Sequence, residues 1–116
     1  MKYLLMLYAD EKAGAQIPPA DMSKFMDQMY AYEASLAKAG AFVATSALTP
    51  TWDAKTINLE AGELKVHDGP YADTKEQFGG YYIIEAPDMD AAVGWAAKCP
   101  AATWGKIEIR PYHQGY

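Results

Sequence analysis

The stretch Tyr3-Leu4-Leu5-Met6-Leu7-Tyr8 is apolar at odd and even positions alike, where a strand with one wet face would alternate. The run from Tyr3 to Ala9 is far too short to span a bilayer. Asp10-Glu11-Lys12 follows where a cleavable signal would stay uncharged, so residues 3 to 9 read as a strand that must be covered on both faces. Gly80 to Ile84 repeats the pattern, two-sided and rich in aromatic and β-branched residues. Whatever this chain becomes, it needs two central strands and something apolar on each side of them.

The intervening segments supply partners. Phe25, Met29, Tyr32 and Leu36 recur at helical spacing, with Asp21 near the start and Gly40 just past the end, which predicts a helix of about 18 residues after a loop ending Ile17-Pro18-Pro19. Phe42 to Ala47 reads as a strand. Thr56 to Leu59 and Leu64 to His67 alternate around Glu60-Ala61-Gly62-Glu63, the pattern of a hairpin with glycine in its turn. Pro87-Asp88 announces a second helix with Asp88 as N-cap, Met89, Ala92, Val93 and Ala96 as inner stripe, and Pro100 as its stop. Lys106-Ile107-Glu108-Ile109-Arg110 alternates strictly, as an edge strand with one wet face would.

Strand, helix, strand, strand, helix, strand is the order of an α+β ferredoxin-like sandwich, here with a hairpin inserted after the second strand. Its first and third core strands lie centrally, in agreement with the two-sided runs. Two helices cover one face of such a sheet. The other needs a cover, and a second copy of the same sheet in an isologous homodimer is the simplest.

At 116 residues the chain is expected to be a single domain, residues 1 to 116, with no room for a separate cofactor domain. Ten basic against fifteen acidic residues give a net charge of −5, and Arg110 is the only arginine, so a nucleic-acid surface is not expected. No membrane partner is expected either. A lone cysteine, Cys99, excludes an internal disulfide and fits a reducing cytoplasm. His67 and His113 are the only histidines and no ligand pair has metal spacing, so neither a metal nor another cofactor is called for.

Candidate chemistry concentrates in Asp68-Gly69-Pro70-Tyr71 and the residues after it. Asp bonds its own backbone, Gly permits positive φ and Pro fixes φ, which makes the tetrapeptide a turn. Asp68, Asp73 and Glu76 place three carboxylates within nine residues, with Lys75 among them. Crowded carboxylates are one way to tune a general acid or base, and a solvated connecting loop is the alternative. Asp68 is the candidate catalytic group, and Tyr71, Asp73, Lys75, Glu76 and His67 are candidate ligand contacts. His67 adjoins Asp68, but neighbours on a strand point to opposite faces, so adjacency does not make a dyad. Cys99 follows a helix C-terminus, where the macrodipole disfavours a thiolate, and reads as structural. Gly79-Gly80 opens a strand and has no phosphate-loop spacing. The aromatic residues Tyr71, Tyr81, Tyr82, Trp95, Trp104 and Tyr112 offer the lining of a pocket for a planar ligand, but in a small domain most are expected in the core.

The segment DGPYADTKEQFGGYYIIEAPDMDAA resembles the signature of the DGPF group of the YCII-related family, with Tyr71 and Asp73 as mild replacements. The likeness extends to the opening Lys-Tyr-Leu, to Trp-Ala-Ala-x-Cys-Pro-Ala at 95 to 101 and to Glu-Ile-Arg-Pro at 108 to 111. It implies a dimeric α/β barrel of the ferredoxin-like type. The density of ionisable groups in a constrained turn, with the signature falling on those residues rather than on the core, leads to the expectation of a protein that binds a small organic ligand in a cleft by the DGPF loop, with carboxylate acid/base catalysis as an extension. The group's association with extracytoplasmic-function sigma factors in bacteria implies the alternative of a non-catalytic sensing or protein-interaction module. The wider family's histidine in the first helix and aspartate before the later proline have no counterpart here: that helix lacks histidine and Cys99 precedes Pro100.

Overall fold

In the computed structural model, which describes residues 1–115, the opening apolar run forms β1 (Lys2–Ala9). A short helix α1 (Glu11–Gly14) and a long one, α2 (Pro19–Lys38), lead to β2 (Phe42–Ala47). The hairpin β3 (Lys55–Glu60) and β4 (Glu63–Asp68) follows, and then β5 (Gln77–Glu85), α3 (Met89–Ala97) and β6 (Lys106–Pro111). The main sheet runs β2-β5-β1-β6, and every neighbouring pair is antiparallel. This is the ferredoxin-like order, with the two-sided strands β1 and β5 in the centre.

Alternation along β1 divides the sheet. Tyr3 and Leu5 are buried beneath the helices, with Leu7 packed against the same cluster, while Leu4, Met6 and Tyr8 point to the opposite face and are only partly covered. Across the strand pair, Tyr3 stands opposite Ile84 and Leu5 opposite Tyr82 on the covered side, and Leu4 opposite Ile83 and Met6 opposite Tyr81 on the open side. On β6, Ile107 and Ile109 join the core, whereas Lys106, Glu108 and Arg110 are exposed, as their alternation predicts.

Pro19 sits in the first turn of α2, where a missing N–H leaves nothing unsatisfied. Met29, Tyr32 and Leu36 are buried at i, i+3 and i+7, and Gly40 follows the helix with φ +73°. The Tyr32 hydroxyl donates to the carbonyl of Trp95 at 2.7 Å and its ring meets Tyr82 edge-on at 5.3 Å, so one side chain ties α2 to both α3 and β5. Asp88 caps α3 by accepting from the N–H of Ala91 at 2.8 Å.

The inner stripe of α3 differs from the sequence reading. Ala92 and Ala96 are buried together with Cys99, but Met89 and Val93 are 38% and 49% exposed. Ala92, Ala96 and Cys99 also follow i, i+4, i+7 spacing, and packing selects these small side chains because they let the helix lie close to the sheet. Helix α1 was not anticipated either. Its N-cap is Asp10, which accepts from the N–H groups of Lys12 and Ala13 and folds a segment whose composition reads as loop. Among the aromatic residues expected in the core, Tyr82 is buried, while Tyr71, Trp104 and Tyr112 are exposed.

The hairpin stands apart from the sheet as an arm. Its turn is Ala61-Gly62, with Glu60 paired to Glu63 and positive φ at both turn residues. The Cα radius of gyration is 16.2 Å, against about 13 Å for a compact chain of this length, and the projecting arm accounts for the excess.

β1 and β6 meet at a point that tolerates no side chain. A Cβ on Gly105 would lie 1.9 Å from the carbonyl oxygen of Tyr8, a backbone atom that cannot swing away. Gly105→Ala should therefore destabilise the fold by about 3 kcal/mol or more in urea unfolding. A change within experimental scatter would contradict this packing.

Candidate functional site

The C-terminal end of β1, the C-terminal end of β2 and the N-terminal end of β5 meet at one end of the sheet. Leu7 pairs with Gly80 and Tyr8 with Phe78, so the register skips Gly79 in a bulge, and the Gly79 carbonyl accepts from the N–H of Leu48 at 2.9 Å. A cavity of about 580 Å³ opens here between α2 and the covered face of the sheet. Its walls are mainly apolar, including Leu7, Ile17, Met22, Phe25, Met26 and Trp104. The Phe25 and Trp104 rings meet edge-on at 5.3 Å. Its polar groups include Thr45, Tyr82 and Glu33, together with Asp10, Glu11 and Gln77 nearer the β1–α1 junction.

Those junction groups are held by one another. The Glu11 carboxylate accepts from the N–H of Thr51 at 2.8 Å and from the Thr51 hydroxyl. Gln77 accepts from the N–H of Glu11 at 3.0 Å through Oε1 and donates to the Thr74 carbonyl at 2.8 Å through Nε2. The network links the turn at Thr51–Asp53, the start of α1 and the end of the DGPF loop, so the cavity mouth is built from bonded backbone rather than from a free loop. Burial pushes the Tyr82 hydroxyl above its ordinary value of 10.0, with Thr45 opposing the shift.

A second hollow of about 400 Å³ adjoins the first, and Tyr8, Leu48 and Gln77 line both. The DGPF loop contributes Pro70, Ala72 and Thr74 to its wall. Burial, followed by the charge and hydrogen bond of Glu108, raises the Tyr8 hydroxyl from 10.0, and Arg110 partly opposes this.

The residues singled out from sequence lie at the end of β4 or along the loop after it, and none is among those lining either hollow. Asp68 ends β4 and pairs with Lys55 across the arm's root. His67 lies opposite Thr56 on the other face of the arm, as strand alternation requires. Tyr71 is 91% exposed, and Asp73 and Lys75 are also exposed. Glu76 is half-buried and pairs with Lys106 at 2.5 Å. The loop's backbone is firmly anchored: the N–H of Gly69 donates to the Ala54 carbonyl and the Thr56 hydroxyl to the Gly69 carbonyl, both at 2.8 Å.

Sequence reading missed Glu33, Glu11 and Gln77. Glu33 left a signal: it stands four residues after Met29 on the inner side of α2, a place where an unbalanced carboxylate is costly unless it serves something. Glu11 and Gln77 left none, because their roles depend on partners 40 and 66 residues away. Among the described residues, no group of three or more His, Cys, Asp or Glu side chains is placed to hold a metal ion, and no helix is long and apolar enough to cross a membrane.

The fold and site together define a ferredoxin-like α+β protein with an apolar, carboxylate-bearing cavity at the end of its sheet. Residues 1–114 match the YCII-related domain, and the chain belongs to that family. An uncharacterised protein of Rhizobium meliloti is 33% identical over 113 residues, which cover 96% of this chain and 91% of that protein. Among solved structures, 5-chloro-2-hydroxyhydroquinone dehydrochlorinase (TftG) of Burkholderia phenoliruptrix, in complex with 2,5-dihydroxybenzoquinone, aligns over 99% of this chain and 96% of its own with 16% identity and a TM-score of 0.49.

Gly69 has φ +117°, a region that side-chain-bearing residues avoid. Gly69→Val should cost about 1 kcal/mol or more, with the loosening confined to residues 66 to 80 in amide exchange. Uniform acceleration across the sheet would show instead that the loop supports the whole fold.

Cys99 gives a pH test. Burial pushes its thiol above 9.0, partly opposed by the backbone N–H groups of Ala101 and Ala102, so the fold favours the neutral form. That contribution to stability is whole below pH 9 and declines as pH rises through the raised value. Unfolding free energies should fall from pH 9 upward, less steeply in Cys99→Ala. Equal slopes would remove the thiol from the account.

Proposed function

We propose that this protein binds a small, neutral or cationic organic molecule in the 580 Å³ cavity between α2 and the sheet. The composition of the wall carries this reading. Asp10, Glu11 and Glu33 are among the lining residues, and no lysine, arginine or histidine is, so the cavity repels carboxylates and phosphates and favours ligands with hydroxyl or amine donors. Its volume suits a molecule of one or two rings. Phe25, Trp104 and the three methionines Met22, Met26 and Met29 supply an adaptable apolar surface, and Glu33, Thr45 and Tyr82 offer a polar end. Glu11 and Glu33 are the half-buried carboxylates of the wall; the Glu11 carboxylate is occupied by Thr51, so an acid/base step in this cavity would pass through Glu33.

The DGPF loop belongs to this reading through Pro70, Ala72 and Thr74 in the wall of the adjoining hollow, while Tyr71, Asp73, Lys75 and Glu76 on the same loop, and His67 and Asp68 at the end of β4, lie outside both linings. The uncovered side of β1 and β5, with Leu4, Met6, Tyr81 and Ile83, supports a homodimer that pairs two open sheet faces. The buried, unpaired Cys99 suits a reducing compartment such as the cytoplasm.

A thermal-shift panel of alcohols, amines and carboxylic acids matched in size tests the ligand class. Alcohols or amines should raise Tm, and the matched acids should not. Glu33→Gln should weaken the best ligand about tenfold, the loss of one charge-assisted hydrogen bond. Preferential binding of acids, or unchanged affinity in Glu33→Gln, would refute the assignment. Asp68→Asn and Lys75→Ala separate the two roles open to these residues: weaker binding at unchanged Tm means ligand contact, and a lowered Tm with unchanged affinity means a clamp.

A further inference from the structure

We propose that the β3–β4 arm is an exchange arm whose apolar face is buried by a second copy of this chain. The alternation of its strands puts Ile57 opposite Val66 and Leu59 opposite Leu64 on one face. These four side chains are 64%, 55%, 71% and 56% exposed. The opposite face carries Asn58, Lys65, Glu60 and Glu63 and is an ordinary solvated surface. An arm of six-residue strands reaches roughly 20 Å from its root. A two-stranded ribbon alone is marginally stable in water, and four bare aliphatic side chains on one face form a contiguous apolar patch on the order of a few hundred Å², about the largest that a monomer usually shows.

Several observations select a second copy as the occupant. The arm's root adjoins the open sheet face, because Ala54 and Pro70 line the same hollow as Tyr8. One chain thus carries two uncovered apolar surfaces that meet at that hollow. A two-fold axis covers both at once, whereas an unrelated partner on the arm would leave the sheet bare. The area agrees: a stable dimer needs about 800 Å² from each partner, of which an arm supplies on the order of half and the open face the remainder. A lipid surface is a poor match, since the tip presents Glu60 and Glu63 and the chain carries a net charge of −5. The pairing of Lys55 with Asp68 and the hydrogen bonds at Gly69 fix the angle at which the arm leaves its own subunit.

This proposal shares with the dimer reading above the need for a second copy, and the experiment keeps the two apart. Sedimentation over a concentration series should show the wild-type chain as a dimer. The double variant Leu59→Glu and Leu64→Glu should raise the dimer dissociation constant at least 100-fold with an unchanged circular dichroism spectrum, because the arm makes no extensive contact within its own subunit. Asn58→Asp, on the wet face, should leave the constant unchanged. Met6→Lys reports on the open sheet face separately. With a photo-crosslinker at Val66, mixed light and heavy-isotope copies should give adducts joining the two isotopic forms. A monomeric wild type overturns both readings. A dimer that Met6→Lys dissociates and the arm variant does not overturns the arm alone, and so does a crosslink confined to single chains.

Discussion

The antiparallel pairing of β1 with β5 is the constraint on which the rest of the structure depends. Both strands are apolar on both faces, so neither can sit at an edge, and their pairing places Tyr3, Leu5, Tyr82 and Ile84 in one buried layer. α2 docks on that layer through Met29, Tyr32 and Leu36, and β2 and β6 complete the sheet on either side. The same pairing generates the open face, because each core residue has a neighbour pointing the other way. Coverage of one face and exposure of the other are two consequences of a single strand geometry.

The site follows from an interruption of that pairing. At Gly79 the ladder between β1 and β5 slips by one residue, and beyond it the pairing continues only through Tyr8 with Phe78 and Ala9 with Gln77. α2 is long enough to continue past this point, so its first turns overhang the end of the sheet and leave the cavity beneath Met22, Phe25 and Met26. The hydrogen bonds of Glu11 and Gln77 hold the mouth to the DGPF loop, which explains why a conformationally restricted turn and an apolar cavity lie side by side. The restricted turn orients the arm; the cavity offers the volume and the polar groups for a ligand.

Much of this was legible in the residues. Two-sided runs marked the central strands, i, i+3, i+4 spacing marked α2, alternation around Ala61-Gly62 marked the arm, and Asp88 marked the start of α3, all by local rules that act within a few residues. Local rules failed where two solutions were locally equivalent. On α3, Met89 and Val93 satisfy helical spacing as well as Ala92 and Ala96 do, and the sheet beneath decided in favour of the small pair. In the loop, Asp68 and Glu76 had the composition of a reactive cluster, yet each sits beside a lysine, Lys55 or Lys106, brought there by strands distant in sequence.

The sequence by itself determined the order of elements, the two central strands and the glycine-dependent turn at Gly69, because periodicity and backbone sterics are properties of neighbouring residues. Only the tertiary structure decided that the cavity lies under α2 rather than at the charged side of the loop, that Glu33 is part of its wall, and that the inserted hairpin stands free with its aliphatic face bare. Those outcomes depend on the angle between α2 and the sheet and on hydrogen bonds between residues 40 and 66 positions apart. No rule confined to adjacent residues contains that geometry.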